Sequence, residues 1–288
     1  MSKTNNNIIH ICYDWAQNVS IPHSPQQIGA TYFKTAFAAH IFSVCSTGNI
    51  NRQLNFIVGE NEFPVGIAKG ANTTLNMVFH SLNEFKKNEK KLLKITCDNC
   101  GGQNKNNLSL WFWLWLIIIG WFDEIELNFM IPGHTKFVCD GYFGNFKKLY
   151  YKNKINTVND VEQIINISTT ANEAVRYNEG SGWIWYDFTS FLSPHFKGLP
   201  GITKYYHFWF SKSELGKVYC SKESGGEEVP FVLLLNNNCN FNQLPSILNT
   251  QPLTLKRQWY LYNKIRQYVD KEFKDVLCPL PTSNNEDI

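Results

Sequence analysis

The run Cys97-Asp98-Asn99-Cys100-Gly101-Gly102-Gln103-Asn104-Lys105-Asn106-Asn107 gathers a carboxylate, a glycine pair, several carboxamides and an ammonium group into one short stretch. Gly101 and Gly102 permit a positive φ and close approach of the backbone to a ligand. Gln103, Asn104 and Lys105 bring donors to the entrance of a helix, where backbone N–H groups already favour anions, so all three are expected to bind substrate. Two more acids give Asp98 its meaning. Asp14 stands in Tyr13-Asp14-Trp15-Ala16-Gln17-Asn18, and Asp140 closes residues 131–140. Taken singly, Asp14 suits a turn and Asp140 a helix N-cap. Taken together, carboxylates about 5 Å apart at an effective dielectric near 20 repel by roughly 3 kcal/mol per pair. Such a cluster needs a divalent cation or a shared proton. Its hard oxygen ligands suit Mg²⁺ or Mn²⁺, and a pair of such ions can drive in-line attack on a phosphodiester.

Other side chains are placed around that triad. His134 is expected to position a water or shuttle a proton, in competition with a turn hydrogen bond after Pro132-Gly133, and Lys136 to hold the scissile phosphate. Lys147, Lys148, Lys152 and Lys154 follow Asp140 on one helix and suit a phosphate backbone. Lys86, Lys87, Lys90, Lys91 and Lys94 read as a solvated face. The spacing of Cys97 and Cys100 also fits zinc or redox work, but no second pair exists and Asp98 between them has the better role. Trp183, Trp185 and Tyr186 suit either base stacking or a satellite core, with the core favoured.

The elements that must position these residues are read from periodicity. Residues 8–14 form a first strand, and 32–44 and 54–59 two more, with Leu54, Phe56 and Val58 alternating and Gly48-Asn49 turning the hairpin. From Asn72 the period becomes helical, through Leu75, Val78, Phe79, Leu82 and Phe85. Residues 92–97 form a buried strand, 108–121 a buried helix, 125–131 a strand and 137–154 a helix. Three strands followed by alternating helices and strands imply an α/β fold with a mixed sheet covered by helices on both faces, the order of a ribonuclease H-like fold. That order sets the first and fourth strands side by side, so Asp14 and Asp98 meet at one edge with Asp140 beside them.

Residues 1–156 are accordingly expected to be the catalytic core. Residues 157–281 are expected to be an aromatic-rich extension packed on it, and 282–288 a disordered tail. Within the extension, 158–167 reads as a helix, 183–192, 205–210 and 231–235 as strands, and 221–228 as a polar loop. Leu255, Trp259, Tyr262, Ile265, Val269 and Phe273 mark a last amphipathic helix.

Composition bounds the class. With 288 residues, 43% of them hydrophobic and 18% charged, disorder over most of the length is excluded. A net charge of +3 excludes a histone-like tail while allowing a local phosphate-binding face. Eight cysteines in a chain this long and a polar start point to free thiols in a reducing, intracellular compartment. The apolar run at 108–122 is short of the roughly 20 residues of a membrane crossing, so no membrane span is expected.

The runs from Asp98 to Asn106 and from Gly133 to Phe137, with Asp140, Phe143-Gly144 and Lys147-Lys148, resemble a family of ribonuclease H-like domains from eukaryotic transposon-like elements. Asp14-Trp-Ala-Gln-Asn18 with Pro22, Gly59-Glu60 and Lys69-Gly70-Ala-Asn72 extend the likeness, and weaker matches run to the last helix. The resemblance implies a transposase-like or nuclease-like domain that cleaves or joins DNA through an Asp triad holding Mg²⁺ or Mn²⁺, in the nucleus. It also ranks Glu60 above Glu62 as a fourth acid. No helix-turn-helix or basic arm supplies a DNA-reading module, which implies a DNA-binding partner subunit, a homo-oligomer, or a repurposed copy. Two alternatives stand beside the leading expectation: a catalytically inactive domain that binds nucleic acid or protein through the same groove, and a structure-selective nuclease of the resolvase type.

Overall fold

A computed structural model describes residues 7–26, 29–48, 51–85, 91–131, 133, 138–177, 182–236, 239 and 241–282. In chain order the strands are β1 (Ile8–Trp15), β2 (Val19–Ile21), β3 (Phe37–Ser46), β4 (Arg52–Gly59), β5 (Leu92–Cys97), β6 (Glu124–Phe129), β7 (Asn172–Arg176), β8 (His207–Ser211), β9 (Lys217–Ser221) and β10 (Val229–Val232). The α-helices are α1 (Ala71–Phe85), α2 (Asn107–Ile118), α3 (Val138–Lys152), α4 (Val158–Ser168), α5 (Phe188–Leu192), α6 (Leu255–Tyr260) and α7 (Lys274–Leu277). The fold is α/β with one mixed ten-stranded sheet in the order β10-β9-β8-β6-β5-β1-β3-β4-β7, and β2 attached to β3. Residues beyond 156 contribute β7 to β10, at both ends of that sheet.

Alternation along the central strands divides two cores. Ile9, Ile11 and Tyr13 of β1, Phe42 and Val44 of β3, and Leu54, Phe56 and Val58 of β4 point to one face, where α1, α2 and α5 cover them. Cys12, Ile41, Cys45 and Ile57 point to the other, beneath α3, α4 and the C-terminal helical segment. α2 is apolar on every side because it is enclosed by α1, α5, β6 and β8, and Trp113 and Trp115 are wholly buried there. At 12 residues it is about 18 Å long. Among the described residues no helix is long and apolar enough to cross a membrane.

Several expectations change. The strand expected to begin at residue 32 starts at Phe37, because 29–31 form a 3₁₀ turn. Residues 183–192 are not a strand. Trp183 and Trp185 run extended into the main core, and α5 follows. The asparagines of α1 take the hydrogen bonds a strand would have needed: Asn72 and Asn76 Nδ2 donate to Tyr186 O, while Tyr186 and Phe188 N–H donate to Asn76 and Asn72 Oδ1. The last helix is broken into α6, a π turn at Leu261–Ile265, 3₁₀ turns and α7. The expected turn at Asn49 and the fraying tail at 283–288 lie outside the described residues.

Candidate active site

β1 and β5 pair in parallel with Tyr13 opposite Cys97, so the next residues are Asp14, one residue from the end of β1, and Asp98, just past the end of β5. Ligands of open α/β sheets bind outside such carboxyl ends. Asp140 lies in the first turn of α3, which packs on β1 and β3. Asp14 is the strained member. Burial of its carboxyl, then the charges of Asp98 and Asp140, push its pKa up to about 7, against the opposing backbone hydrogen bond from Trp15 N–H at 2.7 Å. Asp98 and Asp140 thus both act electrostatically on Asp14.

The loop after β5 is built around Asp98. Its Oδ1 accepts from Cys100 N–H at 3.2 Å and from the Asn104 side-chain amide. Cys100 O in turn accepts from the N–H groups of Gln103, Asn104 and Lys105, which closes the loop into a tight turn. Asn106 caps α2 by accepting from Ser109 N–H, and Asn107 Oδ1 accepts from Leu199 N–H. Much of this polar run therefore orients Asp98 and starts α2. Lys105 is only 4% exposed, with Nζ donating to Thr203 O and lying over the rings of Tyr206 and Phe129, so its ammonium is engaged inside the fold. Burial lowers its pKa. Gln103 is half-buried, Lys147 half-buried and Lys148 exposed, the last two on α3 beyond Asp140. His134 and Lys136 lie outside the described residues, as do Lys86, Lys87 and Lys90. Lys94 pairs with Glu126. Cys97 is buried in the core, where burial pushes its thiol up, while Cys100 stays in the loop.

The sequence reading gave Lys69 no role. Its Nζ donates to Asn18 Oδ1 at 2.6 Å and sits 4.7 Å from the centre of the Trp15 ring, within reach of the Asp14 charge. Asn18 Oδ1 also accepts from His40, whose pKa falls to about 4 through burial and then through Lys69, so the imidazole is neutral. A lone lysine in a stretch rich in glycine and proline has no periodic signal, so its chemistry could not be read from the pattern around it. Glu60 is engaged elsewhere: Arg257 donates to both of its carboxylate oxygens.

Asp98 and Asp140 both raise the proton affinity of Asp14, and the buried Asn104 Oδ1 has no hydrogen-bond partner among the described residues. Among those residues, no three His, Cys, Asp or Glu side chains are grouped closely enough to hold a metal ion.

Comparison with curated proteins and with solved structures returns no match. A family model, DUF7869, a domain of unknown function, matches residues 37–225, which include β3 to β9, the Asp98 loop and Asp140. With well over half of its length matched, the chain belongs to the DUF7869 family.

Proposed function

We propose that this protein is a ribonuclease H-like, metal-dependent phosphoryl-transfer domain acting on DNA, transposase-like or nuclease-like, with Asp14, Asp98 and Asp140 as its acidic site. The observation that carries the reading is the in-register parallel pairing of β1 with β5, which sets Asp14 beside Asp98 while Asp140 adds to the proton affinity of Asp14. Support for the fold family comes from the inner order β4-β3-β1-β5-β6, in which β3 runs antiparallel to β1 and β4, and β5 and β6 run parallel to β1.

Asp14, Asp98 and Asp140 would hold Mg²⁺ or Mn²⁺, which supplies an activated water or 3′-hydroxyl and neutralises charge on the phosphate. The chain's own residues prepare the site. Asn104 and Cys100 N–H fix the rotamer of Asp98, and Lys69 offers a cation to an incoming phosphate oxygen. The decisive assay is Mn²⁺-dependent nicking of supercoiled plasmid. Asp98→Asn should keep the wild-type melting temperature within a few degrees and lose at least about a hundredfold in rate. Undiminished nicking by that variant would refute the proposal. Comparing branched with linear DNA separates a structure-selective nuclease from a strand-transfer enzyme.

A second reading, a repurposed binding domain, draws on the hydrogen bonds that already occupy Asp98 Oδ1. It expects DNA binding that is salt-sensitive, persists in EDTA and is indifferent to Asp98→Asn.

A further inference from the structure

A groove of about 620 Å³ opens beyond the end of β1, lined there by Gln17 and Asn18 and farther out by Tyr32, Lys34, Tyr151 and Lys154. Asn18 joins the groove to the acidic site, because the side chain that lines the groove also accepts from Lys69 beside Asp14. No carboxylate lines it among the described residues, whereas two lysines do. Lys154 is partly neutralised by its ion pair with Asp270, and Lys34 lies over the Tyr268 ring.

Its rings are presented outward. Tyr32 is 72% exposed, Phe33 beside it 88%, and Tyr151 55%. Tyr32 and Phe33 meet edge to face with ring centres 5.1 Å apart, while the inner wall is the stacked pair His23 and Tyr150. Such large exposed rings beside cations are costly on a surface that meets only water, and they match a ligand with flat faces and negative charge. α3 links groove and site. Asp140, Gly144, Lys147 and Tyr151 recur at helical spacing along one stripe, and the eleven steps from Asp140 to Tyr151 rise about 16 Å. A few nucleotides span that length.

We propose that this groove binds a single-stranded segment of nucleic acid, with Tyr32, Phe33 and Tyr151 stacking on bases and Lys34 and Lys147 contacting phosphates, and that it leads the strand along α3 toward Asp140. The inference deepens the phosphoryl-transfer reading by naming the form of its substrate. Unpaired bases can stack on these rings, whereas bases stacked inside a duplex cannot.

The test is fluorescence anisotropy of the full chain with labelled oligo(dT) of roughly 20 nucleotides and with a duplex of equal length, in EDTA so that turnover does not intervene. The expected result is tighter binding of the single strand. Tyr32→Ala/Phe33→Ala should weaken it about tenfold or more while changing duplex binding less than about twofold. Both rings are exposed, so the fold does not depend on them, and Tyr151→Ala provides an independent second variant. Lys34→Ala should lower the slope of log affinity against log salt by about 0.7. Equal or tighter duplex binding, unchanged oligo(dT) affinity in the ring variants, or no binding of either probe would overturn the proposal, the last pointing to a protein partner instead. Lost strand preference with intact Mn²⁺-dependent nicking overturns the groove alone. Intact preference without nicking overturns the nuclease reading alone.

Discussion

Asp14 takes up its proton near neutrality because its carboxyl is largely desolvated and faces two other carboxylates, with the Trp15 N–H as partial compensation. The folded pKa of about 7 lies above the unfolded value near 3.9, so the folded state holds the extra proton between those limits. The associated stability is fully present below about pH 3.9 and is lost as pH rises through 7. In metal-free protein at pH 8 the ionised carboxylate therefore burdens the fold. Asp14→Asn should raise unfolding free energy by roughly 2–4 kcal/mol at pH 8 and by clearly less at pH 5, as read by urea titration at both values. Equal effects at the two pH values would mean that Asp14 titrates as an ordinary surface acid. Asp98 could be picked out of the sequence because glycines and carboxamides surround it. The division of labour among those carboxamides could not, because Asn104, Asn106 and Asn107 share one side-chain chemistry and differ only in what the fold places next to them.

At the scale of elements, the strongest periodic signals translated directly. Leu54, Phe56 and Val58 share one face of β4, and the strongly apolar 108–118 stretch is a helix packed between α1, α5 and the sheet. β7 and β9 gave no such signal. β7 is Asn-Glu-Ala-Val-Arg, a largely polar sequence that pairs in parallel with β4 and is further tied to it by buried amide side chains. Asn55 Nδ2 donates to Asn172 Oδ1 at 3.2 Å, while its Oδ1 accepts from Ser43 Oγ and Gln53 Nε2. Such a network is worth most when every member is satisfied. Asn55→Ala should cost about 2–3 kcal/mol by orphaning these partners. In hydrogen exchange the β7 amides should lose protection before those of β1 and β5. Retained protection in β7 would show that side-chain packing, and not the network, holds the strand.

At the scale of the whole molecule, the C-terminal segment is tied back across the chain to the start of β3. Arg257 of α6 donates to both Glu60 oxygens at 3.0 and 3.2 Å and to the carbonyls of Thr35 and Ala36. A two-pronged, partly buried pair of this kind is among the stronger ionic contacts. A double-mutant cycle of Arg257→Leu with Glu60→Gln should return a coupling energy above about 1 kcal/mol, and a value near zero would reduce the clamp to an ordinary surface pair. Glu60 is thus drawn into a structural role that its place beside Gly59 did not reveal. The sequence by itself determined the α/β class, the mixed sheet with covered faces, and the core of β1, β3, β4, β5 and α2, because periodicity and turn chemistry act over a few neighbours. Only the tertiary structure decided that β7 to β10 extend the same sheet, that Lys105 faces inward while Lys69 approaches Asp14, and that Tyr32 and Tyr151 share a groove with Gln17 and Asn18. Those outcomes depend on contacts between segments many tens of residues apart, where local pattern carries no information and the energies of packing, pairing and charge burial choose the partner.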